Sequence, residues 1–169
     1  ETGSGMAMEQ IRLIASTGAK AIDVGGAGGT NFIAIETART GRALSDDLLG
    51  WGIPTALSAL EAAHVLPSGM DLIVSGGVRT PLDALKSFAL GASAVGIAAP
   101  VLRRTEQEGV EAAVLWLKEY LATLKKCMML LGRTSITDVA HHPVVITGRA
   151  AQWLEARGIS PGKYARRSS

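Results

Sequence analysis

An α/β fold built on a short parallel sheet is what this chain predicts, on three counts. Apolar runs containing β-branched residues at 21–24, 71–75 and 93–97 alternate with segments of helical spacing, and strict alternation means parallel strands joined by crossover helices. Each run finishes in small residues: Gly25-Gly26-Ala27-Gly28-Gly29, then Gly76-Gly77, then Ala98-Ala99. The 169 residues are 47% hydrophobic, enough for one domain with a real core.

Taken in order, Glu1-Thr2-Gly3-Ser4-Gly5 reads as the tail of a strand and its turn, with the strand itself lacking. Met8, Ile11, Ile14 and Ala15 have helical spacing, and Gly18 is a stop. After the strand at 21–24 and its glycines, the run from Phe32 to Leu49 mixes Glu36, Arg39, Arg42, Asp46 and Asp47 with small residues. It exceeds the ~2–6 residues usual for such connections and reads as a lid-like loop at 33–49. Pro54 opens a helix whose face uses Leu57, Leu60, Glu61 and His64, the histidine lying on the surface where the helix dipole favours a cation. Thr80 and Pro81 suit the N-cap and first position of a helix reaching Leu90, and Pro100 opens another. Val110, Val114, Leu117, Leu121, Leu124, Met128 and Leu131 recur at spacings of four and three, predicting a long helix with one apolar stripe against the sheet, ended by Gly132. A short helix at 135–140, extended Val144-Val145-Ile146 and a helix at 149–156 follow.

The chemistry centres on the strand ends. Glycine admits positive φ and lets peptide N–H groups approach a ligand without a Cβ in the way. Taken alone, the stretch at 25–29 fits an anion cradle and a tight turn equally. Three small-residue ends on the carboxyl face of one sheet, where α/β folds bind ligands, favour the cradle. The net charge of +2 excludes a nucleic-acid binder by charge, and the pairs Arg103-Arg104, Lys125-Lys126 and Arg166-Arg167, scattered among acids, read as solvated surface. Cys127 sits in an apolar run and reads as a packing thiol in a reducing compartment. His141 and His142 lack neighbours at metal-ligand spacing. No P-loop, G-x-G-x-x-G, G-x-S-x-G, HExxH or CxxC is present, so the chain supplies a cradle with no catalytic or metal-binding set of its own. No apolar run is long enough to span a membrane and no signal peptide opens the chain, which predicts a cytoplasmic protein.

Several stretches carry a resemblance. Glu1-Thr2-Gly3 through Gly5-Met6, Val24 through Thr30-Asn31-Phe32, Trp51-Gly52-Ile53-Pro54-Thr55 and Ser75-Gly76-Gly77-Val78-Arg79 are similar to type 2 isopentenyl diphosphate isomerases. The likeness continues through Gly91-Ala92, Ala98-Ala99 and Trp153-Leu154 and covers essentially the whole chain. It implies the C-terminal half of a (β/α)8 TIM barrel at 1–132 with a C-terminal helical extension at 133–169. It also implies an FMN-dependent interconversion of isopentenyl diphosphate and dimethylallyl diphosphate, with reduced FMN moving a proton on and off carbon. Magnesium for the diphosphate, NADPH as flavin reductant and a homo-oligomer belong to the same expectation. Carried over position by position, Gly25 and Thr30 match the flavin-contacting loop, Gly77, Val78 and Arg79 the segment around the flavin phosphate, and Ala98 and Ala99 the other phosphate-facing strand end.

A complete barrel takes about 250 residues. The family's early flavin contacts, its substrate-binding Arg-Lys segment and its magnesium-binding Glu and Gln belong to the N-terminal half that this chain lacks. The chain alone is therefore expected to be inactive and to pair with that half. Two rivals stand beside this reading. A 2-hydroxyacid oxidase shares the Ser-Gly-Gly and Ala-Ala ends but needs a catalytic histidine-arginine pair not found here; a phosphate-binding half-barrel that only assembles with another chain needs no chemistry.

Overall fold

The computed structural model describes residues 3–41 and 46–167. Its elements run α1 Met8–Ala15, β1 Ala21–Asp23, α2 Phe32–Thr40, α3 Asp46–Leu49, α4 Thr55–Val65, β2 Asp71–Val74, α5 Pro81–Ala89, β3 Ala94–Val95, α6 Ala99–Glu108, α7 Val110–Leu130, α8 Ile136–Ala140, α9 Gly148–Ala156 and α10 Gly162–Ala165. The strands form one parallel sheet in the order β1-β2-β3, with Ala21 opposite Asp71 and Ile73 opposite Ala94. Side chains alternate across a strand. Ile22, Val24, Leu72 and Val74 accordingly share one face and are buried with Ile11, Ala59, Ala62, Ala84, Leu85 and Phe88 of α1, α4 and α5. Asp23 and Ile73 lie on the other face and are only half-buried.

Two expectations change. The stretch after Phe32 is not an open loop: Asn31 caps α2 by accepting the Ala34 N–H at 3.0 Å, and its amide donates to the Leu49 carbonyl at 2.7 Å, tying α2 to α3. Residues 42–45 of the lid-like expectation lie outside the described residues. The long helix is present as α7, but its buried face is turned from the predicted stripe. Ala113, Tyr120 and Leu124 are buried, whereas Val110, Val114 and Leu121 are 66%, 45% and 56% exposed. The cause is the neighbours: α7 packs on α5 and α6 rather than flat on the sheet. The Tyr120 hydroxyl donates to the Thr80 carbonyl at 2.7 Å at the start of α5, which fixes the rotation. Burial, with the nearby Asp83 charge second, pushes that phenol up to about 12.

The segment after α7 is held by a carboxylate. Glu61 is fully buried on α4. It accepts the Met8 N–H at 2.6 Å and the Trp153 indole N–H at 2.7 Å, and Arg157 approaches it through Nε at 3.2 Å and Nη2 at 3.3 Å. One side chain thereby joins α1, α4 and α9. Around it Met8, Leu57, Leu60, Leu154, Ile159 and Tyr164 form a second apolar cluster. Arg157 also meets Glu9 at 2.6 Å, and that hydrogen bond holds the Glu9 carboxyl below its usual range.

Replacing Glu61 by Ala should cost about 3–5 kcal/mol in urea unfolding, because it strands buried N–H donors and a guanidinium, whereas Glu61→Gln should cost less. A second test uses pH. His64 is lowered by burial and then by Lys163, whose Nζ stands 3.1 Å from His64 Nδ1, and by Arg12. The unfolded chain therefore takes up the proton first, and this contribution is intact above the ordinary histidine range near pH 6.5 and lost as the pH falls below it. The fall in urea midpoint between pH 7.5 and 5.5 should be smaller in His64→Gln than in the wild type.

Candidate functional site

The carboxyl ends of the three strands open on one cavity of about 600 Å3. All seven residues singled out from the sequence line it: Gly25 and Thr30 after β1, Gly77, Val78 and Arg79 after β2, Ala98 and Ala99 after β3. Phe32 at the start of α2 and Pro100 at the start of α6 complete two of its sides.

The glycines owe their place first to packing. A Cβ on Gly76 would stand 2.2 Å from the Gly26 carbonyl oxygen, one on Gly77 2.2 Å from that of Gly28, and one on Gly26 2.1 Å from the Thr55 Cα. Gly76 and Gly77 also have φ of 97° and 89°, a region that favours glycine. Here the two loops touch backbone to backbone, and Thr55 Oγ1 donates to the Gly76 carbonyl between them. The same loops line the cavity. Gly76, Gly77 and Val78 offer main-chain N–H groups with no acceptor among the described residues.

The helix starts differ in what they leave free. Thr80 and Asp83 form a capping box on α5: Asp83 Oδ2 takes the N–H groups of Thr80 at 2.9 Å and Arg79 at 3.2 Å, and Thr80 Oγ1 takes that of Asp83 at 3.1 Å. Burial raises Asp83, but these hydrogen bonds outweigh it and hold the carboxyl below its ordinary value. The start of α5 is consequently satisfied by its own carboxylate. At α6 the N-cap is Ala98, which has no side chain to cap with, and the Ala98 and Ala99 N–H groups find no acceptor among the described residues. The positive end of that dipole therefore meets the cavity.

Two arginines add charge. Arg79 spans the loops, donating through Nη1 to the Gly77 carbonyl at 3.1 Å and through Nη2 to that of Gly28 at 2.9 Å. Arg103, read from the sequence as surface, lines the cavity from α6, while its neighbour Arg104 pairs with Glu108 at 3.2 Å and lies over the Trp116 ring. Helical phase separates the two, a distinction that a scattered basic pair does not display. Asp23 was missed as well. It lines the cavity, and its Oδ1 accepts the Gly25 N–H at 3.0 Å and the Ser75 hydroxyl at 2.7 Å. A carboxylate inside an apolar strand, immediately before the glycines, was its signal. The cavity thus gathers the Gly76–Val78 loop, the uncapped α6 start, two arginines and one carboxylate, Asp23.

Comparison with known proteins agrees with the geometry. The family model for FMN-dependent dehydrogenases matches residues 6–146. The isopentenyl-diphosphate delta-isomerase of Symbiobacterium thermophilum is 40% identical over 99% of this chain and 47% of its own, and that of Geobacillus sp. 45% identical over 98% of this chain and 47% of its own. The chain thus spans about half the length of these curated relatives, and the resemblance read from its motifs is borne out. Among solved structures, a mandelate oxidase variant with a monooxide FMN adduct superposes with a TM-score of 0.61 at 26% identity, over 80% of this chain and 38% of its own. A lactate oxidase from Pediococcus acidilactici gives 0.67 at 22% identity over 86% and 36%, a likeness of fold alone. The expected part-barrel with parallel strands is likewise borne out, and the chain belongs to the FMN-dependent dehydrogenase family.

Proposed function

We propose that this chain forms the flavin-phosphate side of an FMN-dependent isomerase that interconverts isopentenyl diphosphate and dimethylallyl diphosphate. The observation that carries the proposal is the gathering of the uncapped α6 start, the free N–H groups after β2 and two arginines around one cavity, in a chain 40–45% identical to isomerases of that name. The residues fit FMN. The cavity falls within the ~300–1,000 Å3 usual for cofactor sites, and its donors suit a phosphate better than any neutral group. Gly77, Val78, Ala98 and Ala99 hold the phosphate through main-chain N–H groups, Arg79 and Arg103 balance its charge, and Gly25 and Thr30 lie against the flavin, Thr30 donating its hydroxyl. What bound, reduced FMN supplies is the proton donor and acceptor chemistry that shifts the double bond. This chain's own residues bind, orient and neutralise.

Identity favours an isomerase over the oxidase alternative, at 40–45% against 26%. None of His64, His141 and His142 lines the cavity. Magnesium, NADPH as the flavin's reductant and a homo-oligomer in the cytoplasm come to this proposal from the resemblance. Among the described residues no group of three or more His, Cys, Asp and Glu side chains is gathered to hold a metal, so no step is derived through magnesium. No helix among them is long and apolar enough to cross a membrane. In this reading residues 1–132 form half of the barrel and 133–169 its helical extension, and an N-terminal half of the kind found in the longer relatives supplies the remaining strands and the reacting groups.

Two measurements test it. The wild-type chain should bind FMN more tightly than riboflavin, and Arg79→Ala should weaken FMN by about tenfold or more while leaving riboflavin nearly unchanged, as expected for a charged hydrogen-bonding partner. Equal affinity of the wild type for the two flavins would remove the phosphate from this site. In isomerase assays with reduced FMN, magnesium and isopentenyl diphosphate, the chain alone should show no turnover, and adding the N-terminal half of the Geobacillus relative should restore it. Turnover by the isolated chain would show that the reacting groups lie within it.

A further inference from the structure

We infer that Asp23 supplies the second recognition point of this site: its outer carboxylate oxygen accepts a hydrogen bond from an N–H or O–H group of the bound flavin. The cavity then selects a ligand with a donor group at one place and a phosphate at another. This inference rests on the flavin reading above.

Strand alternation sets the direction. Ile22 and Val24 on either side of Asp23 are buried against the helices, so Asp23 faces away from them, on the side shared with Ile73, its partner in the register. Ser75, two residues beyond Ile73, meets it there. Both protein hydrogen bonds to Asp23 end on one oxygen, Oδ1, from the Gly25 N–H and the Ser75 hydroxyl. Oδ2 receives no donor among the described residues, and it is not one of the buried unpartnered atoms, so it stays accessible on a side chain that lines the cavity. Asp23 is the only carboxylate among the described residues that line the cavity. Neither lining arginine neutralises it. Arg79 turns Nη1 and Nη2 to the Gly77 and Gly28 carbonyls, and no ion pair of Asp23 is found among the described residues. A carboxylate oxygen left without a donor beside a cavity is an acceptor for whatever fills it, and a charge-assisted hydrogen bond is the stronger kind. Separate acidic and basic groups on one wall also fix which way round the ligand lies.

A purely mechanical role for Asp23, bracing the two loops through Oδ1, predicts something different, and one substitution separates the two. Asp23→Asn retains an Oδ1 acceptor for Gly25 and Ser75 but turns the outer position from an acceptor into a donor; Asp23→Ala removes both. FMN is titrated into the wild-type chain and both variants, the urea midpoint is measured for each, and the reduction potential of bound FMN is compared between wild type and Asp23→Asn. The expected result is an FMN affinity lowered about tenfold or more in both variants, with the Asn midpoint close to wild type. A rise in potential in the Asn variant then identifies the donor as a flavin ring N–H, since a carboxylate beside the ring opposes the negative charge that reduction adds; an unchanged potential identifies a ribityl hydroxyl. Wild-type affinity in Asp23→Asn, whatever the Ala variant does, would overturn the inference and leave the flavin reading standing. Failure of the wild-type chain to bind FMN would instead overturn the flavin reading, and this inference with it.

Discussion

Between the loop that leaves β1 and the loop that leaves β2 there is no room for a methyl group. Gly76 lies against Gly26, Gly77 against Gly28, and a Cβ at Gly76 or Gly77 would come within 2.2 Å of a backbone oxygen. That contact sets the rest of the site. With the loops pressed together, Arg79 reaches from one to the carbonyl of the other, and Thr55 at the start of α4 hydrogen-bonds into the seam. The peptides at 76–78 line the cavity, and their N–H groups have no acceptor among the described residues. A side chain at any of these glycines would force the two loops apart.

Charge and free donors are distributed unevenly between the two helix starts beside the cavity. Both helices that follow β2 and β3 aim their positive ends at this region, yet Asp83 already occupies the donors at the start of α5. An Asp at the third position of α5 satisfies that end locally and repels a second anion there. Alanine at the α6 N-cap does neither, so the field of that helix is available. The difference between Thr80-Pro81-Leu82-Asp83 and Ala98-Ala99-Pro100-Val101 is therefore a difference in whether the helix start satisfies its own donors.

Much of this was legible in the sequence because it is written in local chemistry. Strand alternation, the prolines at helix starts and small residues at strand ends each have a short-range physical meaning and mark the strand ends that line the cavity, whereas Thr30, Val78 and Arg79 were singled out by the family resemblance. What was hidden depends on contacts distant in the chain. The glycines at 26, 28, 76 and 77 serve each other, and nothing within either loop reports the partner 50 residues away. Glu61 looks from its spacing like one more residue on a helix face; its burial follows from Trp153, 92 residues later. The face of α7 was misjudged for the same reason, since Ala113 and Tyr120 gain their place from α5 and α6, whereas periodicity ranks Val114 and Leu121 as better core residues. Arg103 was discounted by its setting, because a basic pair betrays nothing about which member faces a cavity.

The Glu61 knot and the glycine seam are parts of one framework, joined by the strip of backbone at 4–8. Met8 gives its N–H to Glu61, the Met6 N–H and carbonyl both bond the Ser58 hydroxyl one turn earlier on α4, the Gly5 N–H donates to the Gly25 carbonyl at 2.9 Å, and the Ser4 carbonyl takes the Ile53 N–H at 2.7 Å. Ile53 in turn accepts from Ala27 in the glycine loop at 2.9 Å. From α9 to the cavity wall there is thus a continuous run of satisfied hydrogen bonds, with no step left to a flexible side chain on the surface. Such a path does not by itself transmit anything. It does explain how so small a sheet keeps its loops in fixed positions: the pairing of β1, β2 and β3 covers only a few residues each, and the strip at 4–8 with the helical segment that Glu61 anchors supplies the restraint that longer strands would otherwise give.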